Sequence, residues 1–374
     1  MRKYDTYNDK LNASIYKVIK NFFRLSYSDP AKFIFLLKVL FWQKKAARIR
    51  SEWKKRNVHV PPVMYVSITD TCNLKCRGCF VKVRPRSTEP EMTTEELRRF
   101  LEEAQEIGIS IVYIAGGEPF ARNDLLKITE KFPKIIFPIF TNGLLLDKQR
   151  IDQLRKQQHV IPLLSIEGLE KETDTRRGEG VFQKVKNTIC ILDSKNILFG
   201  MSITVTRNNI ILVTSESFIQ TISNFGCKLF MFVEYISPDT TCQELTLSQE
   251  QSNYLKETIN TFDASLPGKF YCFPGDEKEY GGCLGSGRGF AHINAQGQLE
   301  PCPFAPFSDT NIKQTPLIEA LKSDLLQSIR EVHPSLQHTS GNCTLWENRD
   351  RILQLQEEIY NKRSFKKHHL LNSL

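Results

Sequence analysis

The sequence has no apolar stretch long enough to cross a bilayer as a helix. The longest run, residues 33–42, covers ten residues and contains Lys38, whereas a spanning helix needs about 20 apolar residues. No secretory leader pattern opens the chain, and its ten cysteines are unevenly spread. A disulfide framework therefore explains the cysteines poorly. These features predict a reducing compartment, the cytoplasm, and cysteines that bind metal.

The chain also lacks an evenly distributed excess of charge. Its formal net charge is +9, but residues 44–56 carry seven basic side chains and the single acid Glu52, a net of +6 in one segment. The remainder is close to balanced, which argues against a nucleic-acid partner. A length of 374 residues suits one α/β barrel with a smaller module.

The first 57 residues have the pattern of two helices. Residues 12–25 carry apolar side chains at helical spacing, namely Ile15, Val18, Ile19, Phe22 and Phe23. Ser28-Asp29-Pro30 predicts the start of a second helix, which is apolar to Trp42 and then basic to Arg56. Two interpretations stay open. Either this helix lies on the inner surface of a membrane, its basic end facing anionic headgroups, or the helices form a hairpin that caps the barrel.

From Val63 onward, strand and helix patterns alternate. We predict strands at 63–69, 109–115, 135–141, 159–166, 198–206 and 228–236. Helices are predicted at 93–107, 121–131, 147–157, 181–195, 214–225 and 247–262. This order favours a parallel sheet. Six strand–helix units fit an incomplete barrel better than a closed barrel of eight. The alternative that this pattern does not exclude is a doubly wound sheet.

Three cysteines directly follow the first predicted strand. Cys72, Cys76 and Cys79 are spaced C-x3-C-x2-C, and a [4Fe–4S] cluster takes one thiolate per iron, so this loop would leave one iron open. A zinc site is the alternative, with a distant fourth ligand such as His59 or His159. Buried, unligated cysteines fit poorly because the neighbouring residues are polar. The pattern favours the open iron–sulfur site.

Glycine and polar residues follow the next three predicted strands. They form the segments Gly116-Gly117-Glu118-Pro119, Thr141-Asn142-Gly143 and Ser165-Ile166-Glu167-Gly168. In barrels of this kind, ligands gather at the carboxyl ends of the strands. Glycines let the backbone approach a ligand, and a carboxylate can receive an ammonium group.

A second group of cysteines lies toward the carboxyl end. Residues 290–299 have the pattern of a β-hairpin turning at 294–297, which can bring Cys283 and Cys302 together. Cys343 follows a predicted helix at 316–330 and can fold back as a third ligand. A zinc ribbon-like module and plain buried cysteines are the alternatives.

The loop from Thr71 to Phe80 resembles the signature of the radical S-adenosylmethionine (SAM) superfamily, which follows the first barrel strand. One departure is Gly78, because many members carry an aromatic residue before the third cysteine. Residues 116–119 match the family's GGEP motif. The resemblance implies that Gly116, Gly117, Glu118 and Pro119 bind the amino group of SAM through backbone and carboxylate.

The resemblance extends to the SPASM/twitch branch of this superfamily. Asn142, Ser165 and Glu167 lie where relatives contact the ribose and carboxylate of SAM. The segment 165–182 resembles one that carries an arginine in that branch; this arginine matches Arg177, which would pair with the SAM carboxylate. The spacing from Cys283 to Cys343 resembles the twitch extension.

The twitch extension binds an auxiliary [4Fe–4S] cluster. The resemblance therefore implies Cys283, Cys302 and Cys343 as ligands. Cys272, eleven residues before Cys283, can supply the fourth thiolate; alternatively, the fourth iron is open and binds substrate.

These resemblances imply a radical SAM enzyme. SAM would chelate the open iron through its amino and carboxylate groups, and one electron from the reduced cluster would cleave it to methionine and a 5′-deoxyadenosyl radical. The radical would take a hydrogen atom from an unidentified substrate, and no catalytic residue is assigned beyond the cluster and SAM. Expected partners are a reductant such as ferredoxin or flavodoxin and, given the N-terminal helices, a lipid-like substrate. The rival hypothesis is a non-catalytic iron–sulfur or zinc protein serving in electron transfer or regulation.

The expected fold class is α/β, a partial (β/α)6 radical SAM barrel with an N-terminal helical hairpin and a small C-terminal iron–sulfur module. The expected domains are an N-terminal helical segment (1–57), the barrel (58–265), a twitch/SPASM-like module (266–350), and a C-terminal helix with a basic tail (351–374).

Overall fold

The computed structural model describes residues 11–20, 30–84, 87–237, 241–274, 282–336 and 343–371. Residues 21–25 of the first predicted helix lie outside the described residues, as do Ser28 and Asp29 of the predicted helix start. Within the described ranges, no helix is both long and apolar enough to cross a membrane.

A single nine-stranded sheet forms the centre of the structure. Its strands stand in the order β7-β6-β5-β4-β3-β2-β1-β8-β9. Every neighbouring pair is parallel except the hairpin of β8 and β9. The strands are β1 Val63–Ser67, β2 Ile111–Ala115, β3 Phe137–Thr141, β4 Val160–Ile166, β5 Gly200–Val205, β6 Leu229–Glu234, β7 Lys269–Phe273, β8 Phe290–Ile293 and β9 Leu299–Glu300.

The strand order decides between the two predicted architectures. From β1 to β6 each strand lies beside its predecessor in the chain, whereas a doubly wound sheet reverses its order near the middle. The six-unit partial barrel is therefore confirmed, and the doubly wound alternative is wrong.

The larger helices connect the strands, and most lie where the periodicity predicts them. Thr93 and Glu96 form a capping box at the start of α4. Counting residues 11–20 as α1, the helices of the described chain are α2 Pro30–Lys55, α3 Phe80–Val83, α4 Thr94–Ile107, α5 Leu125–Thr129, α6 Lys148–Lys156, α7 Glu170–Arg177, α8 Val181–Ser194, α9 Ile210–Val213, α10 Glu216–Asn224, α11 Gln249–Ser265, α12 Leu317–Ala320, α13 Asp324–Val332, α14 Thr344–Glu347 and α15 Arg349–Leu371.

Alternate residues of each strand face two different environments. On β1, Met64 and Val66 belong to the large core that includes Phe100 and Leu101 of α4. Val63 and Tyr65 point the other way, into the barrel interior. This period of two is the one expected for strands covered on both faces.

The described parts of α1 and α2 close one end of the barrel. Arg50 of α2 donates to the carbonyl of Gly108 and, at 2.5 Å, to Asn12 of α1. Gln43 exchanges hydrogen bonds with Ser110, immediately before β2. Because these anchors precede β2, the two helices lie at the amino ends of the strands, where they cap the barrel. Capping uses one face of α2 only, and Ile34, Leu37 and Phe41 on its other face are exposed.

Two strands of the C-terminal segment extend the barrel sheet. β7 pairs with β6, and β8 pairs with β1. The predicted hairpin is present as β8 and β9, but the helix predicted at 316–330 is divided into α12 and α13. β7, a strand of five residues after α11, was not predicted.

A buried polar chain ties this segment to the end of β1. The imidazole of His292 contacts the Ser67 hydroxyl through Nε2 (2.9 Å) and the Glu300 carboxylate through Nδ1 (2.7 Å). Glu300 also pairs with Arg84 and accepts from Asn294. Burial lowers the pKa of His292, so the neutral ring donates to Glu300 and accepts from Ser67. This network holds β8 against the strand that leads into the cysteine loop.

Candidate active site

The cysteine loop lies at the carboxyl end of β1. The amide of Arg77 donates to the carbonyl of Arg176 at 2.9 Å, which joins the loop to α7. Burial is the main cause that raises the pKa of Cys72 and Cys76, and Arg177 opposes it at Cys76. Cys79 also lies within electrostatic reach of both thiols. The loop thus gathers its three thiols beside cationic side chains.

Gly78 has a spatial reason to be glycine. Its φ is +64°, a left-handed conformation that costs other residues about 1–2 kcal/mol. A Cβ at this position would also overlap the hydroxyl of Tyr235 and stand 3.0 Å from its Cζ. Tyr235, just after β6, therefore occupies the space into which a side chain at position 78 would point.

The glycine segment after β2 packs directly against the backbone that leads into the cysteine loop. The amides of Gly117 and Glu118 donate to the carbonyls of Thr69 (2.6 Å) and Thr71 (2.8 Å). A Cβ at Gly116 or Gly117 would overlap those same carbonyls. Only glycine permits this approach, and Pro119 then begins a short 3₁₀ turn.

Glu118 is buried at the junction of three strand ends. Its carboxylate accepts from Thr141 Oγ1 (2.7 Å), the amide of Asn142 (2.7 Å) and the amide of Phe120 (3.1 Å). Burial raises its pKa although these bonds favour the ionised form. Since a carboxylate offers about four acceptor positions, one is left for a ligand.

Asn142 and Ser165 stand at the ends of β3 and β4. The Asn142 side chain donates to Asn73 of the cysteine loop at 2.8 Å. The Ser165 hydroxyl makes no hydrogen bond to any residue in the described ranges. The structure thus brings Asn142 to the loop and leaves Ser165 with an unused hydroxyl at the same edge.

Glu167 and Arg177, both predicted to contact SAM, are paired with each other. Arg177 donates to the two carboxylate oxygens through Nε (2.7 Å) and one Nη (2.8 Å), and Arg176 donates to Glu167 at 2.6 Å. Glu167 is 2% exposed, yet the two guanidinium groups outweigh burial and lower its pKa. Sequence reasoning missed Arg176, although its place in an Arg-Arg pair was visible.

The histidines considered for a zinc site lie elsewhere. His59 precedes β1 and contacts the carbonyl of Arg288 at 3.0 Å. His159 precedes β4 and contacts the carbonyl of Thr129 at 2.9 Å. Both are at the amino ends of their strands, opposite the cysteine loop, so neither can be its fourth ligand. Across the described segments, no three His, Cys, Asp or Glu side chains are grouped to hold a single metal ion.

Four cysteines of the C-terminal segment surround a small cavity. Cys272, Cys283, Cys302 and Cys343 all line a space of about 90 Å³. They come from β7, the turn before β8, the end of the hairpin, and the residue before α14. Apolar side chains, including Phe273, complete the wall.

Both cysteine sets fit an iron–sulfur cluster better than a single ion. A cluster binds each thiolate through a different iron, so its ligands stand farther apart than those of one ion. The first set supplies three thiols, with Glu118 electrostatically close to Cys72 and Arg177 close to Cys76. The second supplies four thiols around a cavity. No sulfur in either set is committed to a disulfide.

Aromatic contacts link the two sites. Phe80, next to Cys79, meets Phe304 edge-on with ring centroids 5.1 Å apart and Trp346 at 6.1 Å. Phe304 and Trp346 follow Cys302 and Cys343 closely in the chain. The cavity lined by four cysteines is therefore packed against α3, the short helix that follows Cys79.

Comparison with known proteins agrees with this arrangement. The Radical SAM superfamily profile matches residues 66–217. The AdoMet-dependent heme synthase of Methanosarcina barkeri is 25% identical over 321 residues, covering 77% of this chain and 89% of that protein. Among solved structures, Streptococcus suis SuiB bound to precursor peptide SuiA aligns with TM-score 0.60 and 20% identity over 76% of this chain and 69% of SuiB. Native anSMEcpe with bound AdoMet aligns with TM-score 0.58 and 17% identity over 80% of this chain and 100% of that chain.

Proposed function

The chain contains a Radical SAM domain over residues 66–217, and on that premise we propose that it is an enzyme of the SPASM/twitch type that cleaves SAM reductively and abstracts a hydrogen atom from its substrate. The family uses a [4Fe–4S] cluster and SAM. When bound, these groups supply the one-electron chemistry that breaks a carbon–sulfur bond and activates a C–H bond. The observation that carries the proposal is the contact of the Gly116–Glu118 backbone with the segment entering the cysteine loop.

In this proposal Cys72, Cys76 and Cys79 hold the cluster. The backbone of Gly116 and Gly117 lies against the amino group of SAM, and the Glu118 carboxylate accepts a hydrogen bond from that group at its remaining acceptor position. Pro119 fixes the turn after Glu118.

The other predicted contacts keep their roles with one change. Asn142 and Ser165 present amide and hydroxyl groups to the ribose and carboxylate. Glu167 serves as the anchor of Arg177 rather than as a direct contact. The Arg177–Glu167 bonds use Nε and one Nη, which leaves the other Nη to donate to the SAM carboxylate.

Cys272, Cys283, Cys302 and Cys343 are proposed as ligands of an auxiliary [4Fe–4S] cluster. Four thiolates complete its coordination, so an electron-transfer role is favoured over substrate binding through an open iron. The proposed division of the chain remains 1–57, 58–265, 266–350 and 351–374, with the third segment sharing the barrel sheet through β7 and β8. A ferredoxin or flavodoxin is the proposed reductant.

A peripheral position on the inner membrane surface is proposed from the outer face of α2. Ile34, Leu37 and Phe41 are exposed and spaced at helical intervals. Basic residues follow on the same helix. Such a combination suits an anionic lipid surface.

The test is an anaerobic assay of the reconstituted and reduced protein with SAM. We expect 5′-deoxyadenosine from the native chain and none from Cys76→Ala. Cys190→Ala is the matched control, because Cys190 is exposed and outside both cysteine sets. Intact SAM in the presence of a fully loaded, reduced native protein and candidate substrates would count against the proposal.

A further inference from the structure

A large apolar cavity lies inside the barrel beneath the N-terminal helices. Its volume is about 290 Å³. The walls come from the inward-facing residues of the strands and from the inner faces of α1 and α2, among them Val63, Ile111, Ile161, Leu229, Ile15 and Val39. No charged side chain is among its described lining residues. The cavity is therefore matched to an uncharged, mainly hydrocarbon group.

Two stacked tyrosines are among the polar residues of the cavity wall, which also include Tyr271, Gln43 and Ser14. Tyr65 of β1 and Tyr113 of β2 stack with ring centroids 4.7 Å apart. Neither hydroxyl bonds to any residue of the described segments, although Tyr65 is only 8% exposed. Burial raises the pKa of Tyr113 to about 12, so its hydroxyl is a neutral donor. Buried phenols usually find a partner, and both of these residues line the cavity.

The cavity also borders the four-cysteine site. Cys272, Phe273, Leu284 and Phe290 line both spaces. A ligand in the larger cavity would thus lie against the wall of the proposed auxiliary cluster. The two cavities are therefore neighbours inside the barrel.

We infer that the cavity binds the hydrocarbon chain of a neutral amphiphile, whose hydroxyl or carbonyl group hydrogen-bonds to Tyr65 and Tyr113. An extended peptide fits this space poorly, because its backbone groups would be buried with few partners. A carboxylate or phosphate would find no cation on the described wall. The inference rests on the proposed function only in treating this ligand as the substrate.

The exposed face of α2 agrees with such a ligand. The helix that closes the cavity with Phe35, Leu36 and Val39 carries Ile34, Leu37 and Phe41 on its outer side. If the outer face of α2 contacts a membrane, this helix separates the cavity from the lipid phase. Neutral long-chain amphiphiles are found in that phase.

Binding is measured anaerobically with the cluster-loaded protein and diphenylhexatriene, an uncharged hydrocarbon probe that fluoresces in apolar sites. Ile161→Trp should weaken probe binding by about tenfold or more, because the indole ring occupies the volume that the probe needs. Ile211→Trp is the control, because Ile211 is 75% exposed. Equal probe affinity in the two variants would overturn the inference.

Displacement identifies the chemistry of the ligand. Farnesol and hexadecanol represent isoprenoid and straight-chain alcohols, and the better competitor indicates the class; palmitate should compete less well than hexadecanol. Tyr113→Phe preserves the packing and should weaken displacement by the alcohols without changing probe affinity. Unchanged displacement by the alcohols in this variant would contradict the tyrosine assignment.

The same samples are assayed for SAM cleavage, so that the two proposals fail separately. Formation of 5′-deoxyadenosine without probe binding in the cavity overturns the present inference alone. Probe binding that Ile161→Trp removes, without SAM cleavage, supports the cavity and counts against the proposed function.

Discussion

At the scale of single residues, the arginines around the cysteine loop form two kinds of ion pair. Glu167 is buried between Arg176 and Arg177, whereas Arg77 and Glu244 form an exposed pair at 2.8 Å. Removing one partner of a buried pair leaves an uncompensated charge, but exposed pairs contribute little. Both ion pairs lie near the cysteine loop, but only the buried one is expected to contribute much to the stability of the fold.

Glu167→Gln should lower the free energy of unfolding by about 3 kcal/mol. Glu244→Gln, the matched control, should lower it by less than about 1 kcal/mol. Urea denaturation of both variants measures the difference. Equal losses would show that the Glu167 charge is not needed to compensate the two arginines.

The pH dependence of the same variants has a definite sign. The folded state lowers the pKa of Glu167, so its contribution is fully present above the ordinary glutamate pKa. It is lost as pH falls through the lowered value. Glu167→Gln should accordingly lose less stability than the native protein over this acid range.

Gly78→Ala should reduce the iron retained per chain. The substitution combines left-handed strain of about 1–2 kcal/mol with overlap against the buried Tyr235 ring. Gly180→Ala separates the two effects, because Gly180 has φ +74° but no atom within 4 Å of the position that a Cβ would take. Iron analysis and visible absorbance after reconstitution measure the outcome. Similar iron content in both variants would contradict the role given to Tyr235.

Residue types in the cysteine loop could be predicted from spacing, but their partners could not. The C-x3-C-x2-C pattern predicts three ligands on one loop without knowledge of the fold. The contact between Gly78 and Tyr235 joins the loop after β1 to the end of β6, and these strands are not neighbours in the sheet. No local pattern encodes that approach. The pairing of Glu167 with Arg177 likewise depends on the turn into α7, a helix that the periodicity did not predict.

At the scale of secondary structure elements, α2 has two faces with different tasks. Val39, Gln43 and Arg50 are buried on the side toward the barrel. The opposite side exposes Ile34, Leu37 and Phe41. The sequence could not show which side of this helix is buried and which is exposed, because nearly every position in its first half is hydrophobic.

Replacing Ile34, Leu37 and Phe41 together by serine should weaken co-sedimentation with anionic phosphatidylglycerol vesicles by about tenfold or more, since each buried apolar side chain contributes about 1.5–3 kcal/mol. The melting temperature should change little because the side chains are exposed. Added salt should weaken binding of the native chain through its basic residues.

Ile211→Ser is the control for this triple variant, because Ile211 is exposed elsewhere on the barrel. Vesicle binding that is absent in the native protein, or unchanged in the triple variant, would argue against membrane contact.

At the scale of the whole molecule, two cysteine sites share one barrel. Six strands and their parallel direction could be predicted, because each strand and each helix carries its own periodicity. Their order in the sheet, which separates the partial barrel from a doubly wound sheet, could not. The closing strands β7 and β8 were not assigned to the barrel. β7 has only five residues, and the pairing of β8 with β1 joins segments about 230 residues apart in the chain. In the structure, β7 pairs with β6. The gathering of Cys272 with the other three cysteines follows from that pairing.

The measurement that tests the central claim most directly is electron paramagnetic resonance of the reduced, reconstituted protein before and after SAM is added. We predict about eight irons per chain and two cluster signals, of which SAM changes one. Cys302→Ala should keep the SAM-responsive signal, and Cys76→Ala should keep the other. Zinc in place of iron, or two signals that both ignore SAM, would contradict the claim and favour a non-catalytic metal protein.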